Sequence, residues 1–119
     1  MTKQEVFNKV WDHIIAQGTP SLDDRGYCLY RGPNGLKCAA GIFLTDEQAI
    51  ELDKVNMGWD EACDVFYPEL SDLPANLIIA LQACHDASSK LNPEGFIKSF
   101  KRNATCVAEK HNLTVPESV

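Results

Sequence analysis

Long apolar runs are missing from this chain of 119 residues. The longest, Leu77 to Leu81, falls far short of the roughly 20 apolar residues that a helix needs to cross a bilayer. The start, Met1-Thr2-Lys3-Gln4-Glu5, has none of the apolar character of an export signal. Export and membrane insertion are therefore not expected, and the expected compartment is the cytoplasm. Positive charge is also scarce, with 11 Lys and Arg against 17 Asp and Glu and a net charge of −6. Phosphate backbones call for a basic surface, so direct nucleic-acid binding is not expected either. Tightly spaced cysteine pairs are absent. Cys28, Cys38, Cys63, Cys84 and Cys106 are odd in number and scattered, which suits reduced thiols better than a disulfide framework or a zinc finger.

What is present is an ordinary globular composition, 45% hydrophobic and 24% charged, in a length suited to one domain. The charge is unevenly placed. Residues 46–72 hold Asp46, Glu47, Glu51, Asp53, Asp60, Glu61, Asp64, Glu69 and Asp72 against Lys54, while Lys98, Lys101, Arg102 and Lys110 cluster near the end.

Helical periodicity dominates. Val6, Phe7, Val10, Trp11, Ile14 and Ile15 form one apolar stripe, opened by a Thr2/Glu5 capping box and closed by Gly18 and Pro20. Thr45 and Gln48 form a second capping box, for a short helix to about Lys54. Trp59, Ala62, Cys63, Phe66 and Tyr67 predict another short helix that stops before Pro68. Ser71 or Asp72 can cap a helix opened by Pro74 and running to about Lys90, apolar nearly all round and so expected at the centre. Asn92-Pro93-Glu94 starts the last helix, with Phe96, Ile97, Phe100, Ala104, Val107, Ala108 and His111 on one face and Cys106 on the other.

Between the first two helices, Tyr27–Arg31 and Leu36–Ala40 flank Gly32-Pro33-Asn34-Gly35. Pro fixes a turn position, and Asn and Gly tolerate positive φ, so the pattern predicts a β-hairpin. With Arg31 facing Leu36, Leu29 faces Cys38 and Cys28 faces Ala39; a one-residue bulge would set the two cysteines opposite each other. The expected fold is thus α+β and mostly α. About five helices pack around one hairpin in a single domain over residues 1–113, with a frayed tail over 114–119.

The stretch from Cys28 to Glu47, with its Lys37-Cys38-Ala39-Ala40-Gly41 core, and the later Leu81-Gln82-Ala83-Cys84-His85-Asp86 resemble small uncharacterised bacteriophage and prophage proteins. Those carry a Lys-Cys-Ala-x-Gly-x-Leu core and a Leu-Gln-x-x-His-Asp segment on a later helix. They often have Ile-Pro-Asp where this chain has Leu44-Thr45-Asp46. The resemblance spans roughly residues 2–91 and implies an accessory role in a host cytoplasm. It brings no catalytic residues.

Two regions could carry function. In the first, Trp59 with Asp60, Glu61 and Asp64 offers an aromatic anchor ringed by carboxylates, suited to a basic host protein that the chain would bind and inhibit without catalysis. The alternative for these residues is a solvated helix face with the aromatics in the core. The basic Lys98, Lys101 and Arg102 could instead dock on that acid from a second subunit, giving an oligomer. In the second region, Lys37, Cys38, Gln82, His85 and Asp86 could line a pocket for a small ligand between hairpin and central helix. There Cys28, Cys38 and His85 are candidate metal ligands, and Cys38 with His85 a candidate nucleophile pair. The plainer reading makes His85 a core imidazole bonded to hairpin backbone and the cysteines inert packing. Gly32-x-x-Gly35-x-Lys37 lacks the spacing and following helix of a phosphate loop, so a turn explains it better. No cofactor and no catalytic residue are expected.

Overall fold

The computed structural model describes residues 1–116 and shows five α-helices: α1 (Lys3–Gln17), α2 (Asp46–Val55), α3 (Trp59–Val65), α4 (Ala75–Ser88) and α5 (Pro93–Lys110). Short-range chemistry sets most of their ends. Thr2 and Thr45 each make a complete capping box, with Glu5 and Gln48 reaching back to the cap amide. Gly18 and Asn56 close α1 and α2 in the left-handed conformation. The Asn92 side chain accepts from the Gly95 amide, and Pro93 takes the first turn of α5. At α4 the expectation needs adjusting: Pro74 is itself the cap residue, and neither Ser71 nor Asp72 bonds the helix start.

α4 packs against α1, α3 and α5 and against a 3-10 turn at Ala40–Phe43. Leu77, Ile78, Leu81, Cys84, His85 and Ser88 are buried, and Asn76, Ala83, Asp86 and Ala87 make one exposed edge. A file of rings then crosses the interior. Phe7 stacks on Trp11 at 5.9 Å, Trp11 meets Phe100 at 6.4 Å, Phe100 stacks on Phe96 at 6.3 Å, and Phe96 meets the edge of His85 at 5.7 Å. This file joins α1, α5 and α4.

The predicted β-hairpin does not form, and the fold is all-helical rather than α+β. Among the described residues the β content is two isolated bridges, Leu22 with Cys28 and Arg31 with Lys37. The turn is wider by one residue than expected, with Asn34 at φ 60° and Gly35 at φ 77°, and Arg31 faces Lys37 rather than Leu36. Beyond Cys38 the chain coils into the Ala40–Phe43 turn instead of extending.

The physical reason lies in where the backbone groups find partners. The amides of Tyr30 and Arg31 donate to the two carboxylate oxygens of Asp53 on α2, at 2.8 and 3.0 Å. The Arg31 guanidinium donates to the carbonyls of Tyr30, Gly41 and Leu44 and to the Asp46 carboxylate. Gln17 accepts from the Lys37 amide and donates to the Lys37 carbonyl, both at 2.9 Å, standing in for a neighbouring strand. The Ala40 amide donates to Gln82 at 2.9 Å. Side chains from three helices therefore do what a ladder would have done.

Past α5, Thr114 exchanges two hydrogen bonds with Gln4 on α1, and Val115 packs on the core. Residues 117–119 of the expected frayed tail lie outside the described residues. No helix among the described residues is long and apolar enough to cross a membrane.

Candidate functional site

The segment 18–44 and α4 meet around His85, which is fully buried. The Ser21 amide donates to its Nε2 at 3.1 Å, and its Nδ1 lies 3.1 Å from Asp86 Oδ1 and 3.9 Å from Cys28 Sγ. Because Nε2 accepts, the imidazole proton sits on Nδ1 and is donated to Asp86. Gln82 Nε2 donates to the same oxygen at 2.7 Å. Burial pushes the Asp86 carboxyl up, but bonds from His85, Cys28 and Gln82 outweigh it and hold the group below the usual carboxylate range.

Cys28, His85 and Asp86 bring three potential metal-ligand atoms within 4.8 Å of one another. The donor set does not fit a zinc ion. A metal at this corner needs the Nδ1 lone pair, which would send the proton to Nε2 and set it against the Ser21 N–H, donor facing donor. Cys38, the other proposed ligand, is not in the cluster. Its sulfur accepts from the Gly41 amide at 3.3 Å.

Four of the five thiols are equally unsuited to attack. Burial pushes Cys28 far up, Cys38 to about 12 and Cys84 to about 11. Cys63 also rises, through burial and then the neighbouring Asp60 and Asp64. A thiol held up in this way supplies almost no thiolate near neutral pH. With both imidazole nitrogens engaged, Cys38 and His85 form no nucleophile–base pair.

In front of this cluster lies a cavity of about 210 Å³, lined by Cys28, Leu29, Tyr30, Cys38, Asp53, Asn56, Met57, Gly58, Trp59, Gln82 and Asp86. Three of the five predicted pocket residues, Cys38, Gln82 and Asp86, line it. His85 stands behind the wall, and Lys37 is elsewhere, its backbone held by Gln17. Sequence reasoning missed Tyr30, Asp53 and Trp59 as lining. Asp53 carried no usable signal in the sequence, because the amides it holds are more than 20 residues away.

Trp59 corrects the predicted partner surface. It is 4% exposed and belongs to the core, so it anchors nothing at the surface. Asp60, Glu61 and Asp64 are exposed on α3. Exposed apolar side chains are found instead beside them, at Ile50, Val55, Val65 and Tyr67. Two adjoining grooves share Glu51 and Phe66. One is lined by Leu52, Lys54, Val55, Met57 and Val65, and the other by Thr45, Glu47, Gln48 and Ile50. Together they run along α2 and the end of α3 as one furrow, apolar around Val55 and Val65 and polar towards Thr45 and Glu47. On α5, Lys98 and Arg102 are exposed, and neither they nor Lys101 has a carboxylate partner among the described residues.

No protein-family model matches the chain, and neither curated proteins nor solved structures give a match.

Proposed function

We propose that this chain is a non-catalytic binding module that takes a basic, amphipathic segment of a partner protein into the α2–α3 furrow. The observation that carries the reading is the pairing of exposed apolar side chains with carboxylates of one sign. Val55 is 62% exposed and Val65 56%, beside Glu47, Glu51, Glu61, Asp64 and Glu69, with Lys54 the one cation in that stretch. Contiguous exposed apolar surface rimmed by charge marks interaction sites on small proteins. A helix laid in such a furrow buries its apolar stripe while its lysines or arginines meet the rim. The engaged imidazole and raised thiols favour binding over catalysis. The likeness to phage and prophage proteins makes a host protein the expected partner and the host cytoplasm the expected setting.

A helical peptide of alternating leucine and lysine faces tests the reading by fluorescence anisotropy at low salt. Binding should weaken about tenfold or more for Val55→Asp with Val65→Asp, and should weaken as salt rises. Equal binding by a variant that keeps the native circular dichroism spectrum overturns the assignment. In host lysate the same variant should lose the protein that the native chain captures.

A further inference from the structure

Where α1, α5 and the chain past α5 meet, a groove opens that shares no residue with the furrow. It holds about 680 Å³, within the roughly 300–1,000 Å³ of small-molecule sites. Lys101, Arg102 and Thr105 line it from α5, Trp11 from α1, and Val115 and Pro116 from the final segment. That segment is tied down. The Leu113 amide donates to the Ala108 carbonyl at 2.8 Å, Thr114 exchanges two hydrogen bonds with Gln4, and Val115 packs on the core.

The charge in this groove is of one sign, and no aspartate or glutamate lines it. Lys101 is half-buried and Arg102 exposed, and neither meets a carboxylate among the described residues. Their own helix offers none. The positions three and four residues from either are Ile97, Lys98, Ser99, Ala104, Thr105 and Cys106, with no acid among them. On a chain of net charge −6 this is a local reversal of sign, and an anion is the ligand that it draws.

Trp11 supplies an independent observation. It is only 5% exposed, yet its indole N–H has no hydrogen-bond partner among the described residues. Nor is that nitrogen sealed in, because the one fully enclosed and unpartnered side-chain nitrogen or oxygen is Trp59 Nε1. The Trp11 ring packs on Phe7 and Phe100, and the groove is where the residue surfaces. A donor fixed by a buried ring and opening beside two cations suits an acceptor oxygen.

We propose that this groove is a binding site for a small organic acid, a carboxylate on a short apolar body. The carboxylate lies between Lys101 and Arg102 and accepts the Trp11 indole N–H, and the body covers Val115 and Pro116. The site stands whether or not the furrow binds protein.

The test is a nitrogen–proton NMR titration of the full chain at neutral pH, in which the Trp11 indole signal is the one that persists in Trp59→Phe. The probes are hexanoate and benzoate, with hexanol, hexylammonium and inorganic phosphate as counterparts. Hexanoate or benzoate should give saturable shifts along α5 from Lys101 to Cys106 and move the Trp11 indole signal downfield. Lys101→Gln with Arg102→Gln, checked as folded by its thermal melt, should weaken binding about tenfold or more. Lys98→Gln, which removes an exposed cation outside the groove, should leave it within about twofold. Glu117 directly follows Pro116, and Glu117→Gln should bind at least as tightly as the native chain. No saturable shift with either acid, shifts that leave the Trp11 indole unmoved, or unchanged affinity in the folded double variant would each overturn the proposal. So would equal binding of any counterpart, equal weakening by Lys98→Gln, or binding seen only in Glu117→Gln, which would assign the two cations to the chain's own carboxylate.

Discussion

The Arg31 guanidinium reaches three backbone carbonyls and one carboxylate, and its side chain is 12% exposed. A charge so well buried is tolerated because each of its three nitrogens meets an acceptor, four hydrogen bonds in all. Its sequence neighbourhood suggested only the flank of a turn. Asp86 is the counterpart on the other side of the segment, a carboxylate whose folded form gives up its proton more readily than the unfolded form. Its contribution to stability is complete above the unfolded value of about 3.9 and disappears as pH falls through the lower folded value. Asp86→Asn should therefore flatten the acid limb of stability below about pH 4, read as the urea midpoint against pH. An unchanged limb would mean that other carboxylates carry it.

Elements are held here by side chains that reach across the chain. The 3-10 turn at Ala40–Phe43 presses on the segment before it so closely that a Cβ at Gly41 would collide with the Tyr30 carbonyl oxygen. That oxygen belongs to backbone and already accepts from Arg31. Gly41→Ala should thus cost about 1–3 kcal/mol, since backbone cannot yield as a flexible side chain can. Chemical denaturation followed by far-ultraviolet circular dichroism measures it, and a change near zero would show that the turn can move away. Because Gly41 has a negative φ, the requirement is for space and not for backbone freedom.

For the whole molecule, the ring file from Phe7 to His85 ties three helices together, with Phe100 at its centre and fully buried. Phe100→Ala should destabilise the fold by about 3–5 kcal/mol, a large share of the roughly 5–15 kcal/mol typical of a domain. The urea midpoint should fall while the slope stays constant. A much smaller loss would mean that the helices collapse into the space. Charge is also organised at this scale, with carboxylates along α2 and α3 and cations along α5, a separation that favours oriented encounters over non-specific ones.

The helices, their capping boxes at Thr2 and Thr45, the Gly18 stop and the burial of α4 were legible from the sequence alone, because each rests on contacts a few residues apart. The turn at Pro33–Gly35 was legible for the same reason. Whether its flanks would pair as strands was not, because Gln17, Asp53 and Gln82 compete for those backbone groups from other helices. Tertiary structure likewise decided that Trp59 lies inside while Val55 and Val65 lie outside. On a helix of only seven residues the periodicity is too short to say which face meets the core. Cys38, Gln82 and Asp86 could be named in advance as residues with chemistry to offer, but the cavity they share with Tyr30, Asp53 and Trp59 exists only once the side chains are packed.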